Sequence, residues 1–149
     1  MSEHAMLYEQ DFYAWTQEQA KLIREGTFAK LDIRHLIEEV EDMGKHEKRE
    51  LSSRLEVLLL HLLKWHFQPN YENKNSWKYT IKEQRRKIRY HLEDNPSLKN
   101  KDQFQIVFDR AYEASIYDAI KETGLGEDVF PTTCKWEISE VLDEEFYPN

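Results

Sequence analysis

The sequence predicts an all-α fold: an up-down helical bundle of four main helices around a long central helix, with a C-terminal strap and short helix. Apolar residues recur at three- and four-residue spacing through most of the 149 residues, which is typical of helices with one buried face. Only four glycines and four prolines occur, and no stretch shows the alternation of a half-buried strand. The length predicts a single helical domain over residues 1–149.

The first helix is predicted to run from Tyr8 to Gly26, because a glycine after the last periodic residue favours a helix stop. Aromatic side chains repeat along it at helical spacing. Such a stripe packs in a core far more often than it stacks on bases or sugars. We therefore expect its aromatic residues to be buried: Tyr8, Phe12, Tyr13 and Trp15.

The central helix is predicted over residues 32–67, with Asp32 as its N-cap. Its first half is amphipathic, with an apolar arc and an acidic arc on opposite sides. The apolar arc contains Leu36, Ile37, Val40 and Met43, and the acidic arc contains Glu38, Glu41 and Asp42. Gly44 follows, and a glycine inside a helix predicts a bend or a tolerated weak point.

The second half of the central helix is apolar almost all round. Its leucines follow one another at three- and four-residue spacing from Leu51 to Leu63, which predicts the buried centre of the bundle. The apolar run at residues 57–63 is too short to cross a bilayer, which needs about 20 apolar residues. We therefore expect no membrane segment.

The rest of the chain predicts two more helices and a strap. The third helix runs from Ser76, as N-cap, to the Asn95-Pro96 pair. The fourth runs from Lys101 to Gly124, with small residues that let a neighbour approach closely. Residues 127–149 form a strap with a short helical pattern that lies over the bundle through its apolar side chains.

Charge and cysteine content limit which partners and which cellular compartment are expected. The net charge of −8 argues against nucleic acid as a partner, because phosphate backbones are bound by accumulated cations. Residues 78–89 are the exception, with six cations and the single acid Glu83. This basic face either pairs with the acidic helix or is solvated; nucleic-acid contact, with Tyr79 and Tyr90 among the cations, is the less favoured alternative. A lone cysteine, Cys134, and the absence of a signal-peptide pattern predict a cytoplasmic protein.

The acidic arc is the candidate metal site. Helical bundles hold metals with inward carboxylates and histidines from facing helices. Glu38 and Asp42, one turn apart, could hold a divalent cation with a partner such as His61 or His91. The candidate metal ligands are Glu38, Glu41, Asp42 and His61. The Glu-x-x-His spacing of carboxylate metal sites is missing, so no cofactor is expected.

His61 also has a structural interpretation, since a histidine among leucines must find a hydrogen-bond partner and tends to lose its charge. No nucleophile motif surrounds Cys134, and no phosphate-binding glycine loop occurs, so no catalytic residue is predicted.

Three functions of different class remain, and the third of them is nucleic-acid binding without catalysis. The favoured hypothesis is a small cytoplasmic protein-interaction or regulatory module without catalysis, acting on a protein partner or as a homo-oligomer. The alternative is a metal-assisted phosphoesterase or nuclease that uses the acidic cluster. The candidate phosphate or partner contacts in either case are Lys82, Arg85, Arg86 and Arg89.

Several segments together resemble the domain of unknown function 29 family, which is common in cyanobacteria and other bacteria. The segments are residues 8–15, residues 36–44, residues 61–65, Trp77 with Thr80-Ile81 and Gln84-Arg85, Pro96-Ser97-Leu98, Phe130-Pro131, Cys134 and Trp136. Lys135 stands where the family pattern suggests proline.

The resemblance implies an all-helical bundle and no known activity. It singles out Glu38, Glu41, Asp42, Gly44, His61, Lys64, Trp65, Trp77 and Arg85. One non-catalytic explanation is a buried polar network that joins Arg85 to Glu38 or Glu41.

Overall fold

The computed structural model describes residues 3–149, with side chains from Met6 onward. In this part of the chain it shows six α-helices, three short 3₁₀ turns and no strand, so the prediction of an all-α bundle of long packed helices is confirmed. The helices are α1 (Glu3–Gln10), α2 (Phe12–Arg24), α3 (Ile33–Phe67), α4 (Lys74–Asp94), α5 (Lys101–Thr123) and α6 (Ile138–Leu142). Backbone contacts define two compact units, one ending at His46 and one over Glu47–Asn149. The single domain stays a prediction.

The first unit contains α1, α2 and the first half of α3. The prediction of one helix from Tyr8 to Gly26 is wrong, because Asp11 separates α1 from α2. Its carboxylate accepts the backbone N–H of Ala14 at 3.0 Å, which makes Asp11 the N-cap of α2. Gly26 does follow the end of α2, at φ +73°.

The aromatic residues of the first unit do not share one environment. Trp15 is 2% exposed, as predicted. Phe12 and Tyr13 are 48% and 73% exposed, so the expectation that the whole stripe is buried is wrong. The prediction of a buried stripe requires one continuous helix from Tyr8 onward. The break at Asp11 changes which side chains share a helical face.

Helix α3 agrees with its predicted bounds. Asp32 directly precedes it, and the helix continues through Gly44 without a break. In its second half seven leucines are buried: Leu51, Leu55, Leu58, Leu59, Leu60, Leu62 and Leu63. The prediction of a buried centre in this half is therefore confirmed.

The second unit surrounds those leucines with α4, α5, α6 and the strap. Helix α4 contributes the predicted buried stripe of Trp77, Ile81, Ile88 and Leu92. Helix α5 contributes Ala111, Ser115 and Ala119, each 0% exposed, because these small residues allow close approach. The strap adds Phe130 and Val141 to the same core.

One of the predicted helix ends differs from the structure. Ser76 lies inside α4 instead of capping it, and its hydroxyl donates to the Asn73 carbonyl at 3.0 Å. Gly124 caps α5 in the left-handed region at φ +73°, as predicted. No helix within the described residues has the length and apolar character needed to span a membrane.

Candidate functional site

Most of the apolar arc on the first half of α3 is exposed, although Leu36 is half-buried. Ile33, Ile37, Val40 and Met43 are 53%, 52%, 64% and 67% exposed, and we call these four side chains the α3 apolar row. At about 100° per residue they occupy one side of the helix. Contiguous exposed apolar side chains edged by charges are typical of an interaction surface.

The α1–α2 hairpin packs against the opposite side of this half-helix. Asp32, which directly precedes α3, makes several of the contacts. One carboxylate oxygen, Oδ2, accepts from the Trp15 indole at 3.0 Å and lies 2.7 Å from His35 Nδ1. The Asp32 backbone N–H donates to Gln19 Oε1 at 2.8 Å, with Gln19 only 1% exposed. The Tyr8 ring stacks on the His35 ring with centroids 3.9 Å apart.

These contacts change the acidity of two groups. Burial raises the pKa of Asp32, but hydrogen bonds from His35 and Trp15 outweigh it and hold the pKa below its usual value. The hydroxyl of Tyr8 donates to Glu39, and this bond, together with burial and nearby acids, raises the pKa of Tyr8 to about 12. The polar face of α3 thus attaches the hairpin, which leaves the apolar row outward.

The predicted metal residues take different positions. Glu38, Glu41 and Asp42 are exposed on the first unit. His61 belongs to the second unit, where its Nδ1 lies 2.7 Å from the Val57 carbonyl. Burial lowers the pKa of His61, as the structural interpretation of this residue predicts.

A different group of potential metal ligands comes together in the second unit, within the part of the chain that the structure describes. Glu47, Glu50 and His91 place one ligand atom each within 4.8 Å of one another. His91 is 8% exposed, and its Nε2 lies 2.8 Å from the Glu47 carbonyl oxygen. Its Nδ1 lies 3.7 Å from a Glu50 carboxylate oxygen, while Arg54 binds the other oxygen at 3.0 Å.

Sequence reasoning missed this cluster, although a signal was present. Glu47 and Glu50 are three residues apart and therefore share one face of α3. His91 continues the stripe of Ile81, Arg85 and Ile88 on α4. The metal site was predicted instead on the acid-rich segment before Gly44.

All four candidate phosphate contacts line one cavity of about 590 Å³ in the second unit. Its lining comprises Lys82, Arg85, Arg86, Arg89, Tyr79, Glu83, Glu144 and Glu145. The three acids offset most of the positive charge. Two of them already form ion pairs at 2.6 Å, Glu83 with Lys87 and Glu144 with Arg89. The four cations and three acids leave the lining with a net charge of only +1.

Arg85 lines this cavity and binds the backbone of the strap. It is 3% exposed, and its guanidinium donates to the carbonyls of Val141, Glu144 and Phe146 at 2.9, 3.4 and 2.7 Å. Burial lowers the pKa of Arg85. The hypothesis that Arg85 pairs with Glu38 or Glu41 is wrong, because backbone oxygens of the strap occupy its donors.

Cys134 lies in the strap, beside a groove of about 770 Å³ that α5 also lines. Burial raises the pKa of the Cys134 thiol, which disfavours the thiolate that nucleophilic chemistry needs. The groove has an apolar floor and mixed charges at its edge, with Lys99 and Lys101 against Asp109 and Glu137.

The fold and these surfaces define an all-helical protein with an exposed apolar helix face. Residues 7–147 match the family described as Domain of unknown function DUF29, so the chain belongs to that family and the resemblance seen in the sequence is confirmed. No curated protein and no solved structure matches the chain.

Proposed function

We propose that this protein is a cytoplasmic protein-interaction or regulatory module without catalysis, and that the α3 apolar row is its contact surface. The observation that carries the proposal is the exposure of more than half of each side chain in the row. Burying these side chains against a partner would be favourable by about 25 cal/mol per Å² of apolar surface.

The rest of the chain gives a consistent background. The second unit already buries its own leucines, its basic cavity contains acids, and burial raises the pKa of the Cys134 thiol. The row differs because it lies on a helix whose other side is fixed by the Asp32 contacts. An amphipathic helix that lays its apolar face against a partner is a recurring mode of protein recognition.

The test compares three proteins by chemical crosslinking and mass spectrometry in native cell extract. They are the wild type, the double variant Ile37→Lys with Val40→Lys, and the control Tyr117→Lys. Tyr117 is 71% exposed on α5, in the second unit. We expect a complex of defined stoichiometry that the double variant loses at least tenfold and the control retains. Equal complex formation by the double variant would refute the proposal.

The metal-assisted phosphoesterase or nuclease is the second candidate, and the Glu47–Glu50–His91 cluster is its support. Native mass spectrometry of tag-free protein prepared without chelators tests it. Retention of a divalent ion that is lost in His91→Gln would favour this function. An unchanged apo mass in both proteins would count against it.

A further inference from the structure

The α3 apolar row has a spacing suited to another helix of the same kind. Ile33, Ile37 and Val40 follow one another at intervals of four and three residues, and the next position in this series is Gly44. This is the alternation of a coiled-coil seam. From Ile33 to Gly44 the seam is about 16 Å long, at 1.5 Å per residue.

Gly44 gives independent support for close approach at one end of the seam. A Cβ built at Gly44 meets no described atom within 4 Å beyond the helix's own nearby backbone, so the chain itself does not require glycine there. An interior glycine costs a helix about 1 kcal/mol relative to alanine. In an antiparallel pair aligned so that Ile37 faces Val40 of the second helix, Gly44 faces Ile33 and makes room for it.

The charges beside the seam select the orientation. Arg34 and Glu41 are seven residues apart and edge the same side of the seam. In an antiparallel pair this edge of one helix faces the same edge of the other, so Arg34 lies near Glu41 of the second copy, twice by symmetry. In a parallel pair the edge would instead face Leu36 and Met43, which carry no charge.

We propose that the partner of the α3 apolar row is a second copy of this chain, packed antiparallel through Ile33, Ile37, Val40 and Gly44. This inference rests on the proposed function and names its partner. A patch of this size lies at the low end of specific interfaces. We therefore expect a weak dimer that forms only at high protein concentration.

Sedimentation equilibrium on the full chain, from about 5 µM to about 500 µM, tests the proposal across the range where such a dimer forms. We expect the wild type and Tyr117→Lys to dimerise equally. Ile37→Lys should weaken the dimer at least tenfold, because it places a charge in the seam. Circular dichroism confirms that each variant remains helical.

Charge exchange tests the orientation. Arg34→Glu and Glu41→Arg should each weaken the dimer about threefold to tenfold, since each sets like charges opposite one another. Combining them should restore wild-type association. Failure of the double exchange to restore the dimer would overturn the antiparallel arrangement.

The two proposals fail in different ways. A wild type that stays monomeric at every concentration would overturn the second copy as partner. The interaction function would then still depend on whether the Ile37→Lys, Val40→Lys variant loses its complex in extract. Loss of that complex with a monomeric wild type would identify a different protein as the partner.

Discussion

The two halves of α3 carry apolar residues at the same spacing and have opposite environments. In the second half, Leu51, Leu55 and Leu58 are each 0% exposed. In the first half, Val40 and Met43 are 64% and 67% exposed. A helical period therefore shows that a helix has an apolar face, but it does not show what covers that face. The uncovered face is where we place the function.

The largest expected effect comes from the buried half. Leu58→Ala should lower the free energy of unfolding by about 2–5 kcal/mol, because it removes a fully buried side chain and leaves a cavity. Val40→Ala is its counterpart in the exposed half and should change stability by less than about 0.5 kcal/mol. Urea unfolding at low protein concentration, where association is negligible, measures both. A large loss in Val40→Ala would mean that the row is covered within the chain.

Substitution of Arg85 tests whether its hydrogen bonds to the strap stabilise the second unit. Arg85→Ala should lower the free energy of unfolding by about 2–4 kcal/mol, since three carbonyls lose a charged donor. Arg85→Lys should recover only part of this, because one ammonium cannot replace the planar guanidinium. Arg86→Ala, at an exposed site on the same helix, is the matched control. The idea fails if Arg85→Ala unfolds at the same urea concentration as that control.

Much of this fold follows from local sequence, as α5 shows. Its start at Lys101 and its left-handed cap at Gly124 depend on residues next to the helix ends. The leucines of α3 were also predictable, because an apolar surface that encircles a helix must be buried. The break at Asp11 was not predicted. It depends on one hydrogen bond from the Ala14 N–H to the Asp11 carboxylate, and helical spacing does not reveal that bond.

The site was harder to predict, for a physical reason. Arg85 was placed with Glu38 or Glu41 by charge, but its partners are backbone oxygens, which every residue carries. The Glu47–Glu50–His91 cluster joins positions more than 40 residues apart, and its spacing is visible only once α4 is docked on α3. The metal and phosphate assignments themselves stay predictions.

Asp32 tests what holds the exposed half in place. Asp32→Ala removes the acceptor for Trp15 and His35 and should destabilise the first unit by about 1–2 kcal/mol. Hydrogen exchange should then speed up at the amides of α2 and leave α5 unchanged. Equal acceleration in both helices would show that the effect is global.

Acid should act on the same contacts. The pKa of Asp32 is lower in the folded protein, so its ionisation stabilises the fold above its unfolded pKa of about 4. This stabilisation is lost as the pH falls through the lower folded pKa. The Trp15 indole proton, followed by NMR, should therefore shift in that acidic range in the wild type. Asp32→Ala should show no such transition.

The smallest expected effect is the pH response of the buried half through His61. Burial lowers its folded pKa, with Lys64 acting in the same direction and Glu122 against it. The unfolded chain therefore binds this proton first, so stability should fall as the pH drops from about 6.5 through the folded pKa. Replacing His61 by Gln should flatten this part of the curve of unfolding free energy against pH. An unchanged slope would assign the response to another histidine and leave His61 without a measurable part in it.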